Sequence, residues 1–198
     1  MQSSRSNSKI TLLRMAESAV MLALATALSI FSFELPFGGS ITPLSMLPIV
    51  LIAYRYRIGW GLGVGAAHGL IQMILGAKNL SYGTSAIAVI AIILFDYIIA
   101  FAVLGLAGGF REKFKNNQSL ELAAGTALGC VLRYICHVLT GVTIWGVWAP
   151  EGQSVLYYSL TYNATYMVPE TLSVVLVAFI LALILDFRTP TVGPLKRA

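Results

Sequence analysis

Stretches apolar enough to cross a bilayer occupy this chain from about residue 15 to residue 186, and they constrain its fold more than any motif does. A helix that spans the hydrocarbon needs about 20 mostly apolar residues, with some allowance for short or tilted ones. Such runs occur at 15–33, 41–54, 59–77, 85–109, 120–147 and 160–186, the second being short and carrying Pro43 and Pro48. Of all residues 58% are hydrophobic and only 11% are charged, against about 25% charged in a soluble domain. The expected fold class is therefore all-α, an integral membrane protein of six transmembrane helices. Nothing resembling a linker or a low-complexity segment divides the chain, so residues 1–198 are expected to form a single transmembrane domain.

Charge between the runs predicts an orientation. Arg5, Lys9 and Arg14 precede the first run, Arg55 and Arg57 separate the second and third, Arg111, Lys113 and Lys115 follow the fourth, and Arg188, Lys196 and Arg197 follow the sixth. The alternate loops hold only Glu34, Lys78 and Glu151. Lys and Arg gather on the cytoplasmic side, so both termini are expected inside. The net charge of +5 follows from orientation and needs no nucleic-acid partner. The basic start and apolar run near Ala16–Ile30 also fit a cleavable signal, but five further runs favour a retained first helix.

Against that apolar background the polar residues stand out. Charged groups at bilayer depth cost about 2.5–3.5 kcal/mol each on insertion scales unless they meet a cavity or a partner. Asp96 and Tyr97 lie in the middle of the fourth run, where an ion pair with Arg133 is the alternative to a binding role. Arg133, His137, Gly141 and Trp145 recur every four residues on the fifth, one turn apart on a slowly rotating face. Gly141 is expected to leave room between a ring below and a ring above. The sixth run carries Tyr158, Tyr162 and Asn163, and Asn163, Tyr166 and Glu170 share a face by spacing. Pro169 cannot donate to the carbonyl of Thr165, so a bend and a free acceptor are expected there.

Other features read as packing. Gly61, Gly65 and Gly69 form a small-residue seam inside one apolar run, without the strand that a dinucleotide-binding loop requires. His68 and Gln72 lie one turn apart, and His68 is expected to be packed and hydrogen-bonded. Ala19, Ala23 and Ala27 repeat every four residues, which suits close helix approach either within the bundle or to another subunit. The segment FELPFGGSITP is expected to be a turn, through Pro36, Gly38, Gly39 and Pro43, and is a candidate lid. Cys130 and Cys136 point to different sides of one helix and read as buried apolar groups. No metal-ligand spacing, phosphate-binding loop or nucleophile–base–carboxylate set occurs, so neither a metal, a cofactor nor an enzymatic activity is expected.

In LRYICHVLTGVTIWGVWAPEG, YYSLTYNATYMVP, FDYIIAFAVLGLAG and GGSITPLSMLPI, the chain resembles the thiamine-specific substrate-binding components of energy-coupling factor transporters. The resemblance runs from Ala16 onward and is densest after Cys130. It implies that family's bundle, and a site in which Asp96, Tyr97, His137, Gly141, Trp145, Tyr158 and Asn163 hold thiamine. It further implies docking through Ala19 and Ala23 to a transmembrane coupling subunit, driven by two cytoplasmic ATPases, with no chemistry on the substrate. Two departures are visible: some relatives have Glu where this chain has Asp96, and some have Trp near Gly38 and Gly39. The alternatives are a solitary proton-coupled carrier of thiamine or its precursor, relayed through Glu170, Arg133 and His137, and an intramembrane enzyme pairing Asp96 with Glu170. Residue types leave open whether thiamine, its pyrimidine precursor or a phosphate ester is preferred.

Overall fold

The computed structural model describes residues 2–34, 40–115 and 117–195, without the side chains of residues 2–9, Glu34 and Ser40. The candidate lid at Pro36, Gly38 and Gly39, and the basic Lys196 and Arg197, therefore lie outside the described residues, as do the side chains of Arg5, Lys9 and Glu34. The fold is an all-α membrane bundle.

Helix α1 runs Gln2–Ile30, starting well before the expected residue 15. A two-residue antiparallel pair, β1 (Phe33–Glu34) with β2 (Ser40–Ile41), follows it. The helical run Leu47–Leu75 is broken at Arg57, whose φ of 71° and ψ of 174° lie far from helical values. It therefore makes two helices, α2 (47–56) and α3 (58–75). The chain doubles back between them, because a Cβ built on Gly61 would lie 2.5 Å from that of Ala53. In one straight helix those positions would be about 12 Å apart. At about 15 Å, α2 is too short to span hydrocarbon about 30 Å thick. Five helices are long and apolar enough to cross a membrane if the Leu47–Leu75 run counts as one. The expected second span is thus a short interior helix, buried along its length from Leu47 to Arg55.

Helix α4 occupies Ala86–Phe110 and is capped by Ser85, whose hydroxyl accepts from the Ala88 amide at 3.2 Å. Its middle, Ile92–Ile98, is wound with i→i+5 hydrogen bonds, a geometry that recurs at functional sites. Helix α5 spans Gln118–Thr143, begun by an Asn117 cap to the Leu120 amide, and α6 spans Val155–Ile184 with Pro169 inside. A small antiparallel pair, β3 (Leu185–Asp186) with β4 (Gly193–Pro194), ends the described chain.

The expected glycine seam joins α3 to α4. A Cβ on Gly65 would lie 2.4 Å from the Phe101 carbonyl oxygen, and one on Gly69 would lie 2.6 Å from that of Tyr97. From the other side, a Cβ on Gly105 would fall 2.2 Å from the Leu62 nitrogen. Only hydrogen fits at these rungs, so the two backbones touch.

The end of the bundle where α2 meets α3 and α4 meets α5 is tied by the same arginines that mark orientation. Arg55 pairs with Glu17 at 2.9 Å and donates to the carbonyls of Phe187, Thr189 and Pro190. Glu121, wholly buried, accepts from Tyr54 at 2.6 Å and from Arg188 at 2.7 Å. Gln118 donates to the Ala182 and Leu185 carbonyls and accepts from the Phe187 amide, latching the end of α6 to the start of α5. Buried polar groups must be paired, and here the pairs join the first, middle and last parts of the chain. Charge patterning exposed these residues as topology signals but not as this network.

Candidate ligand-binding site

At the opposite end, the first halves of α4 and α6 and the second half of α5 line a cavity of about 620 Å³. That lies within the usual range of about 300–1,000 Å³ for small-molecule sites. Asp96, Tyr97, His137, Gly141, Trp145, Tyr158 and Asn163 all line it. Residues from the irregular connections contribute too, among them Thr42, Ser45, Asn79 and Tyr82.

Asp96 is the electrostatic centre. Its Oδ1 accepts from His137 Nδ1 at 3.0 Å and from the Thr140 hydroxyl, and its Oδ2 accepts from the Trp145 indole nitrogen at 3.1 Å. Hydrogen bonds to an ionised acceptor are among the strong ones, so three donors hold the carboxylate in one orientation. On its other side His137 accepts at Nε2 from Arg133 Nε at 3.3 Å. Nε2 must therefore present a lone pair, which leaves the proton on Nδ1 for Asp96. The Asp96–Arg133 ion pair considered from sequence does not form: Asp96 meets His137, Thr140 and Trp145, while the Arg133 guanidinium lies 4.1 Å over the Phe101 ring.

Two expectations change in detail. Helix α5 ends at Thr143, and Trp145 belongs to a separate single turn, Trp145–Trp148. Trp145 thus reaches Asp96 from a connection rather than from a continuous helical face. The space that Gly141 leaves is taken by Ser159, whose Oγ would sit 2.0 Å from an added Cβ. Gly141 lines the cavity by its backbone, while its missing side chain lets α6 close on α5.

Asn163 sits on that same seam. Its Nδ2 donates to the Ser159 carbonyl at 2.8 Å and to the His137 carbonyl at 3.3 Å, and its Oδ1 accepts from Tyr166. The Tyr97 hydroxyl donates to the Gly76 carbonyl and accepts from Asn79, both at 3.1 Å, pinning the α3–α4 connection to the cavity wall. Tyr158 stacks on Tyr162 with ring centroids 5.7 Å apart. Tyr82 stands edge-on to both Trp145 and Trp148, at 5.6 and 6.3 Å. Glu170 is 1% exposed and accepts both the amide and the hydroxyl of Thr42, so it bonds to the β2–α2 connection.

His68 is buried with its ring edge-on to Phe101, and one ring nitrogen lies 3.4 Å from the Gln72 amide. Ala19, Ala23 and Ala27 are all exposed on the outer side of α1, which packs chiefly against the Leu47–Leu75 run. The reading of that stripe as packing within the bundle is thereby removed. Among the described residues no cluster of His, Cys, Asp and Glu could hold a metal.

The thiamine transporter protein family (Thia_YuaJ) matches residues 15–188, nearly the whole chain. This chain belongs to that family. It is similar to the thiamine transporter ThiT of Bacillus subtilis (strain 168), with 36% identity over 189 residues, covering 90% of this chain and 93% of that protein. It is also similar to ThiT of Lacticaseibacillus paracasei, with 27% identity over 180 residues, covering 83% of this chain and 84% of that one. Among solved structures, ThiT from Listeria monocytogenes superposes with a TM-score of 0.69 at 26% identity, covering 87% of this chain and 94% of that one. Membership in this family together with the apolar helices makes the chain a multi-pass protein of the cell membrane and a transporter.

Sequence reasoning about the family's site missed Thr42, Ser45, Gln72, Asn79 and Tyr82. They come from helix ends and connections, where no periodicity marks which way a side chain faces.

Proposed function

We propose that this family member binds thiamine at the cavity around Asp96 and delivers it as the substrate-specific subunit of an ATP-driven energy-coupling factor transporter. The observation that carries the reading is the juxtaposition of a carboxylate and an indole on the wall of one shared cavity. Thiamine joins a permanently cationic thiazolium to a flat aminopyrimidine. Asp96 supplies the opposite charge, and the Trp145 face offers cation–π attraction of about 2 kcal/mol when desolvated. Tyr97, His137, Gly141, Tyr158 and Asn163 complete the proposed site, the first by its ring and Asn163 by keeping α6 against α5. Two carboxylates, Asp96 and Glu170, face one guanidinium in the lining, which favours a cationic cargo over a phosphate ester.

The site lies at the end away from Arg55, Arg111 and Arg188, and the gathering of basic residues on the cytoplasmic side supports an outward-facing site with both termini inside. The proposed proton relay of a solitary carrier gains less support, because Glu170 is engaged by Thr42 while Arg133 leads to His137 and Asp96. The test is calorimetric titration of the purified protein with thiamine, followed by recovery of the ligand. Sub-micromolar binding with thiamine recovered unchanged is expected; absence of binding, or conversion of the ligand, contradicts the reading.

Docking to the coupling subunit is assigned to the outer face of α1. Small side chains let a second helix come close, and Ala19 and Ala23 present them outward. Replacing both by Trp is expected to abolish uptake in cells that carry the ATPases while leaving thiamine affinity in detergent within about twofold, since neither position lines the cavity. Equal loss of uptake and binding counts against the assignment.

A further inference from the structure

At the end of the bundle away from the candidate site, a second cavity of about 470 Å³ opens where the α2–α3 break meets the chain leaving α4. Arg57, Arg111 and Lys113 line it against a single carboxylate, Glu112. The cations are under-matched. Arg111 is fixed by donating Nη1 to the Arg55 carbonyl at 2.7 Å and Nη2 to the Arg188 carbonyl at 3.1 Å. Its buried Nε has no hydrogen-bond partner among the described residues, the Glu112 carboxylate standing 3.8 Å away. Leaving a buried donor of a charged group unpaired is costly, so the pocket lacks an acceptor. Glu112 is instead drawn to Arg57 at 2.8 Å, in a pair whose side chains are 50% and 55% exposed. Ion pairs that exposed contribute little, so an incoming anion can take Arg57 from Glu112 at small loss. Lys113 has no ion-pair partner among the described residues.

The surroundings narrow the class of anion. Two of the lining residues, Arg57 and Glu112, each hold φ at 71°, and backbone strain of this kind gathers at ligand sites. Helix α3 starts at the same point, where a helix favours negative charge. A Cβ on Gly59 would meet nothing within 4 Å, so that first turn is open to an approaching group. Apolar groups flank the charges: Ile58, 39% exposed, in the wall, and Phe114, 42% exposed, just after Lys113 with its ring stacked on Phe110. A fully hydrated anion gains nothing from them, whereas an anion with hydrocarbon attached does. By the distribution of Lys and Arg this end faces the cytoplasmic leaflet, whose anionic lipids are drawn to basic pockets at the helix ends. We propose that the pocket binds the phosphate of an anionic phospholipid of that leaflet, held by Arg57, Lys113 and the Arg111 Nε, with an acyl chain along Ile58 and Phe114. The assignment does not depend on what the other cavity carries.

The test is native mass spectrometry of the full-length protein in detergent, titrated with phosphatidylglycerol and, separately, with phosphatidylcholine. The wild type is expected to hold one phosphatidylglycerol roughly tenfold more tightly than phosphatidylcholine. The double variant Arg57→Gln, Lys113→Gln is expected to cut that preference to about twofold, and Glu112→Gln, which removes the competing carboxylate, to raise phosphatidylglycerol affinity about threefold. A general loss of folding cannot move affinity in opposite directions. Inorganic phosphate added to the same titration is expected to leave the lipid in place; displacement by it assigns the pocket to free phosphate and overturns the lipid. Equal binding of the two lipids by the wild type overturns the proposal with no variant having to fold, and an unchanged preference in the double variant does so as well. That last result together with lost uptake in cells assigns the pocket to an acidic segment of a partner protein instead.

Discussion

Thiamine affinity is expected to fall about a hundred- to a thousandfold in Asp96→Asn. The substitution keeps the size of the side chain and one acceptor oxygen, but it removes the charge that would face the thiazolium. Truncating one member of a buried, hydrogen-bonded charge pair costs about 2–5 kcal/mol, and every 1.4 kcal/mol is about tenfold. The amide also turns an N–H₂ toward donors that now converge on acceptors, namely His137 Nδ1, the Thr140 hydroxyl and the Trp145 indole. At least one of the three would lose its partner, which places the cost at about 3–4 kcal/mol, in the middle of that range. Calorimetry on the variant, with its melting temperature as a check on folding, measures the effect. A loss of less than tenfold in a well-folded variant would mean that Asp96 does not hold the cation.

The largest effect on the fold itself is expected at Gly65. In Gly65→Val the new Cβ would fall 2.4 Å from the Phe101 carbonyl oxygen and 2.9 Å from the Ala102 Cα. Both obstacles are backbone, so no rotamer change relieves them. Overpacking costs about 1–3 kcal/mol where side chains can adjust, and more is expected where two helices must part. Because Gly69 and Gly105 sit on neighbouring rungs of the same contact, parting also pulls Asp96 away from α5. The expected result is loss of monodisperse protein on size exclusion, with thiamine binding lost in whatever survives. Gly63→Ala is the control, since a Cβ there meets nothing within 4 Å and should leave both unchanged.

Much of this was legible in the residues, and the exceptions have physical causes. Long apolar runs announce helices because the bilayer permits little else, and the small-residue spacing of Gly61, Gly65 and Gly69 announced the α3–α4 seam. Polar residues in apolar runs pointed to Asp96, His137 and Trp145. Trp145 was expected to continue α5, because nothing in GVTIWGVW marks a stop after Thr143. The break at Arg57 falls where the loop between the second and third runs was expected, although its positive φ carries no Gly or Asn as the usual sign, the nearest glycine being Gly59. The space at Gly141 was assigned to a ligand because spacing along one helix cannot show that Ser159 of another helix fills it. Tyr82 could not be separated from an ordinary interfacial aromatic, since its role depends on two tryptophans more than 60 residues away in sequence.

The short helix α2 has a bearing on how the protein is made. A segment of about 15 Å, closed by Tyr54 and Arg55 and enveloped by protein from Leu47 onward, has no resting place in lipid. Its Tyr54 hydroxyl needs Glu121, and Arg55 needs carbonyls after residue 186, so its seat does not exist until the ribosome has finished the later helices. The contacts that seat α2 are therefore complete only when the first, middle and last parts of the chain have come together.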